Sequence, residues 1–324
     1  MKNCDVCGTL NLKENIYCTH CGCRIVEENI CPFCGKKNSD SSKFCVDCHK
    51  QITPIAIDSF DDLISDYNFS LLLNSQFSPL DYVNVLTRIF KKLDYIKITG
   101  KTPKEKVLQI ANVFTSVIPI SSGVANGEYA IQFIFYDDRL DECFQISTII
   151  HELAHFILFD LAVNILSEIF DVKASPALKS FVEYVFVTSE IILMNEFYAH
   201  TVENRYIPIE FQRFNSYLKS VNDLGIGEED CQIVIQLGNS YAKDIIHFLD
   251  NYIDENLRES IKLQFKMDMA EPNDNIQFIF DNELLDHEEK NKMFIGLMAF
   301  YFEALYNNKE AREELEHIKY KFED

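Results

Sequence analysis

The chain has 324 residues, 30 Lys and Arg against 51 Asp and Glu, and a formal net charge of −21. With 47% hydrophobic and 25% charged residues, it has the balance of a folded globular protein and not of a disordered one. The acidic surplus excludes a broad basic face, so nucleic-acid binding is not expected.

The first residues, Met1-Lys2-Asn3-Cys4, carry no apolar export segment, and a cytoplasmic location is expected. Nine of the eleven cysteines precede residue 50, leaving Cys143 and Cys231 beyond it. They form two units of one spacing. Cys4-x-x-Cys7 with Cys18-x-x-Cys21 makes the first, and Cys31-x-x-Cys34 with Cys45-x-x-Cys48 the second. In a chain without an export signal, paired C-x-x-C spacing reads as zinc and not as a disulfide framework. Each knuckle offers two thiolates at tetrahedral angles, and two knuckles close one Zn²⁺ site with Zn–S of about 2.3 Å. Two structural Cys4 zinc sites are therefore expected over residues 1–50, with metal binding supplying the folding free energy that so short a unit lacks. Cys23 is expected as a spare thiol, and His20 and His49 as surface residues. The pattern resembles the double zinc-ribbon modules at the ends of many bacterial and archaeal proteins. Seven Lys and Arg face six Asp and Glu across these fifty residues. A protein-docking or regulatory role thus suits them better than nucleic acid.

Residues 51–60, with Gln51-Ile52-Thr53-Pro54, read as a linker. Apolar residues at helical spacing predict a helix over 79–93 with Ser78 as its N-cap. A Gly/Ser/Asn loop over 121–127 is followed by the strongest strand pattern in the chain, over 129–136. A dense helical pattern follows over 141–159. The richest apolar run is 181–194, and it carries Glu183 and Glu190, so no membrane span is expected. The tail, 308–324, reads as a solvated helix. The fold class expected is α+β: a small zinc ribbon, then a mostly helical domain over 61–324 with a short sheet.

The chemistry is concentrated in His151-Glu152-Leu153-Ala154-His155. Ile146, Ile149, Ile150, Leu153, Phe156 and Ile157 recur around it at helical spacing, so both histidines fall on one face a turn apart. There two imidazole nitrogens can bind one Zn²⁺ at about 2.0–2.1 Å. Glu152 sits beside the first ligand, where it can act as general base. A catalytic zinc needs a third protein ligand, and no H-E-x-x-H-x-x-G-x-x-H pattern supplies it. Glu190, Glu196 and Glu203 all lie near one helix face. Ala199, a small residue within a turn of Glu196, favours Glu196, because two helices that share a metal must approach closely.

In His151–His155 followed by Glu196, Ala199 and His200 the chain resembles the gluzincin metallopeptidases, in particular the compact catalytic core of ImmA/IrrE-like members. The resemblance covers roughly residues 128–203. It implies a zincin-like fold, one catalytic Zn held by His151, His155 and Glu196, and a sheet edge just before the active helix that binds an extended peptide or protein substrate. It also implies a polar residue at His200 that supports the first histidine. Tyr198, His200 and Tyr206 are the candidate donors for the oxyanion. The expected activity is zinc-dependent endopeptidase hydrolysis with Glu152 as base. The rivals are a zinc hydrolase of non-peptide substrates, a repressor-cleaving regulator, and a non-catalytic zinc-ribbon interaction protein.

Overall fold

The computed structural model describes residues 2–3, 9–11, 36, 38, 45–47, 57, 59–121, 127–130, 133–225, 228–269 and 284–318. Two short strands, β1 (Lys2–Asn3) and β2 (Leu10–Asn11), pair antiparallel. Four helices follow: α1 (Phe60–Leu63), α2 (Asp66–Leu73), α3 (Pro79–Phe90) and α4 (Pro103–Phe114). Three strands come next, β3 (Ser116–Ile120), β4 (Gly127–Ala130) and β5 (Phe133–Asp137). The remainder is helical: α5 (Glu142–Phe170), α6 (Pro176–Phe186), α7 (Ser189–Asn204), α8 (Asn215–Leu224), α9 (Glu228–Leu249), α10 (Glu255–Asp268), α11 (His287–Asn307) and α12 (Lys309–Ile318). The architecture is α+β and mostly helical.

The helix starts follow local chemistry. Ser78 and Asp81 form a reciprocal capping box at α3, and Thr102 and Glu105 form another at α4, each with Pro at the first helical position. The linker expected over 51–60 lies almost wholly outside the described residues.

The chain divides into two compact units, Met1–Tyr95 with Leu161–Tyr184 and Asn291–Asp324, and Ile96–Asp160 with Val185–Lys290. In the first, Phe302 gathers an aromatic core, stacking on Phe69 at 5.5 Å between centroids and meeting Phe181 edge-on at 5.8 Å. The Glu316 carboxylate accepts the Phe60 amide at 3.1 Å and so caps α1 from α12.

The second unit holds the three-stranded sheet, in the order β3-β5-β4, with β3 parallel and β4 antiparallel to β5. This corrects the sequence reading twice. The single strand expected over 129–136 is a pair of strands, with Ala130 registered on Phe133. The strand just before the helix that bears His151 and His155 is central and not an edge, because residues 116–120, with no strand expected there, pair along its other side. Pro119, which lacks an amide to donate, suits the outer position of β3.

Helix α5 runs to Phe170, well beyond the expected 159, because no breaker interrupts its apolar run; Asp171 ends it at φ 55°. Among the described residues it is the helix long and apolar enough to cross a bilayer by length and composition, and 72% of its apolar window is buried inside the protein. That is how a core helix behaves. Its first turn is held from a distance, since the Asp268 carboxylate at the end of α10 accepts the Cys143 amide at 3.0 Å. Burial pushes the Cys143 thiol up to about 12.

Helix α7 packs against α9 at Gly238. A Cβ there would stand 3.1 Å from the Met194 carbonyl oxygen and 3.3 Å from the Phe197 ring. Helix propensity favours Ala over Gly by about 1 kcal/mol, but a helix carbonyl cannot yield as a side-chain tip can. Gly238→Ala is accordingly expected to lower the melting temperature in thermal unfolding; a rise would show that α7 and α9 separate freely.

Candidate metal centre

All of the site lies in the second unit. From α5, His151 and His155 bring their Nε2 atoms to 3.1 Å, the rings edge to face at 4.7 Å. Each ring is fixed from behind. His151 donates from Nδ1 to Glu203 Oε2 at 3.1 Å, and His155 donates from Nδ1 to Asn195 Oδ1 at 2.8 Å. Holding Nδ1 in this way sets the tautomer and leaves Nε2 as the metal-facing atom.

Helix α7 supplies the other wall. Glu196 Oε2 lies 3.5 Å from His151 Nε2, and Glu196 Oε1 lies 3.8 Å from His155 Nε2, so one carboxylate addresses both rings. His200, a turn further along, sits with its ring 4.5 Å from that of His151. The ligand atoms of His151, Glu196 and His200 lie within 4.8 Å of one another, and this group can hold a metal ion. The His151–His155 pair passes a simple test of fit as two ligands of one ion. Two imidazole nitrogens on one tetrahedral ion at 2.0–2.1 Å stand roughly 3.3 Å apart, close to the separation of the His151 and His155 Nε2 atoms.

The three carboxylates considered as third ligand now separate. Glu196 faces the Nε2 side. Glu203, which is almost fully buried, lies on the Nδ1 side, where its Oε2 also receives His200 Nδ1 at 3.0 Å. The side chain of Glu190 is outside the described residues. Glu203 is thus the group that supports the first histidine, and His200 sits behind it. Its Nε2 lies 2.7 Å from the Ser216 hydroxyl, which in turn donates to Glu196 Oε2. Of these two candidate ligand sets, His155 has its Nε2 turned to His151, whereas both nitrogens of His200 are engaged by Glu203 and Ser216.

The electrostatics follow from this packing. Burial works against a charged His151, but hydrogen bonds to Glu196 and Glu203, with the charges of Glu203 and Glu152, outweigh it and raise the group to about 10. For His155 burial dominates and lowers it to about 4. Burial also lowers His200, against the pull of Glu203. Burial disfavours the ionised forms of Glu196 and Glu203, yet hydrogen bonds from the imidazoles hold both well below the usual carboxylate range. Arg213 adds a cation, its Nε 4.0 Å from Glu203 Oε1, with its guanidinium over the Phe144 ring and donating to the Ser147 hydroxyl at 3.2 Å.

Glu152 is buried on α5 beside His151, where its charge is felt by that ring. Tyr198 is fully buried and donates its hydroxyl to the Ala154 carbonyl at 3.1 Å, a bond that ties α7 to α5. As an oxyanion donor it has no proton to offer while that bond stands. Tyr206 is also buried, beside Asp250. Of the cysteines expected to bind zinc, Cys4, Cys7, Cys18, Cys21, Cys31, Cys34 and Cys48 lie outside the described residues, as do Cys23, His20 and His49. Cys45 is buried, and its sulfur accepts the Asp47 amide at 3.4 Å and the Asn38 side-chain amide at 3.8 Å.

Three contributors were not among the residues singled out from the sequence. Asn195 precedes Glu196 and shares its helix, so the asparagine of Asn195-Glu196 carried a signal. Arg213 and Ser216 reach the site from beyond α7 and carried none. Comparisons with known protein families, with curated proteins and with solved structures return no match.

Proposed function

We propose that the chain is a zinc-dependent hydrolase acting on peptide bonds, with His151, His155 and Glu196 as metal ligands and Glu152 as general base. The observation that carries this reading is the pair of Nε2 atoms at 3.1 Å, each ring anchored through Nδ1 and both addressed by one carboxylate. Zinc bound there supplies Lewis acidity toward a carbonyl oxygen and acidifies water. Glu152 receives a proton on its carboxylate from the attacking water and returns it to the leaving amine. Asn195 and Glu203 keep the two rings in register throughout. An extended substrate fits best along β4, whose outer side is unpaired among the described residues and can add a strand by main-chain hydrogen bonding. The zinc ribbons, with two further structural ions on the Cys4–Cys48 ligands, serve as the docking module for a protein partner.

Zinc counting on the full chain tests this. About three ions per chain are expected, two for the ribbon cysteines and one for the histidine site. His151→Ala and Glu196→Ala are each expected to lose one of them together with peptide hydrolysis, while Glu203→Ala, altered only on the Nδ1 side, retains it with weaker affinity. Loss on Glu203→Ala with full retention on Glu196→Ala would reverse the assignment of the third ligand.

A second reading has one observation in its favour. His200 falls within the tightest ligand group. If it turned from Ser216 to the metal, four protein ligands would close the site, and a closed site is structural. The chain would then be a non-catalytic interaction protein that retains the zinc without hydrolysing peptides, so zinc content and hydrolysis measured together separate the two readings.

A further inference from the structure

We infer that Ser216, in the first turn of α8, is a positioning residue for the metal centre: its hydroxyl donates to the Glu196 carboxylate and fixes its aim. This rests on the metal reading of His151, His155 and Glu196.

Ser216 stands in a row of close polar contacts. Glu196 Oε2 accepts from Ser216; Ser216 Oγ lies 2.7 Å from His200 Nε2; His200 Nδ1 lies 3.0 Å from Glu203 Oε2; and that same oxygen takes the His151 Nδ1 proton at 3.1 Å. The serine proton goes to the carboxylate, so one hydroxyl governs the aim of Glu196. A glutamate side chain has three rotatable torsions, and a fixed donor to its carboxylate narrows the range it samples. Ligands held by such outer partners bind metal more tightly than unrestrained ones.

Ser216 has no competing local duty. A serine at a helix start usually caps, but α8 begins after Phe214 with no side-chain cap hydrogen bond, and the Ser216 hydroxyl points across to α7. What brings it there is apolar. Phe197 of α7 meets Tyr217 edge-on at 5.3 Å and stacks on Phe214 at 5.4 Å, in a buried cluster with Leu193 and Ile235. Glu196 precedes Phe197 as Ser216 precedes Tyr217. The aromatic pair therefore docks α8, and the polar pair one residue earlier in each helix is carried into contact. Metal affinity thus depends on the seating of α8, an element that contributes no ligand.

The test is zinc competition against a chromophoric chelator on the full chain, the site being identified by the ion that His151→Ala loses. Ser216→Ala is expected to weaken that ion by about 10–100-fold, while the unfolding temperature of the zinc-loaded chain falls no further than that lost binding requires. Ser216→Thr restores the hydroxyl and is expected to recover binding to within about threefold of the native chain, a rescue that a packing role would not give. Native affinity in Ser216→Ala, or no recovery in Ser216→Thr, overturns the positioning role and leaves the metal reading standing. A native chain from which His151→Ala removes no zinc overturns the metal reading itself, and the positioning role with it.

Discussion

Glu152→Gln is expected to abolish measurable peptide hydrolysis while leaving the zinc content of the chain unchanged. A positioned general base contributes on the order of 10²–10⁴ in rate, and glutamine cannot accept the water proton. The amide is close in volume to the carboxylate, so the packing of α5 around this buried position is kept. It also removes one of the negative charges that favour a protonated His151. Glu152 is not among the assigned ligands, so the ion is retained. Undiminished cleavage by the Gln variant would exclude Glu152 as base. Loss of zinc along with activity would show instead that Glu152 is needed to build the site.

Zinc affinity at the histidine site is expected to rise about tenfold for each pH unit between roughly 6 and 8, because one proton leaves as the ion enters. The sign follows from the two imidazoles. His155, lowered to about 4, is already neutral across this range and gives up nothing. His151, raised to about 10 by its two carboxylate partners against the effect of burial, still holds a proton on Nε2, the atom that must bind the metal. Glu196, held below the usual carboxylate range, is already ionised. The net count is one proton per ion, with affinity climbing as pH rises and levelling only near the raised value. A histidine of ordinary pKa, about 6.5, would instead level off just above neutrality. The measurement is zinc competition at several pH values, taken as the difference between the native chain and its His151→Ala variant. A flat response between pH 7 and 8 would show that His151 is not proton-loaded.

Local chemistry was readable where one short stretch decided the outcome. Ser78 before Pro79 with Asp81 three residues on specifies a helix start, and that start needs no distant partner. The apolar recurrence around His151 likewise specified a helix. Its end was missed because residues 160–170 offer neither Gly nor Pro. The strand pattern over 129–136 was real, but the reversal between Ala130 and Phe133 carries no Gly, Asn or Pro turn signal, so two strands read as one. Position within the sheet was not readable at all, since β5 is central only through pairing with β3. In the candidate site, periodicity left Glu196 and Glu203 equivalent, and the small Ala199 favoured the one that faces Nε2. Ser216 was invisible for a different reason. A single serine in Phe214-Asn215-Ser216-Tyr217 acquires its role only when the aromatic neighbours have packed.

The bond from the Cys143 amide to Asp268 spans 125 residues of chain. During synthesis, the helix bearing His151 and Glu152 leaves the ribosome long before its N-terminal anchor exists. A nascent chain that ends short of Asp268 thus already carries every histidine and carboxylate of the site, with His151, Glu152 and His155 on a helix that has a frayed start. The first turn of that helix is consequently completed late in synthesis, by the emergence of α10 and not by completion of the motif.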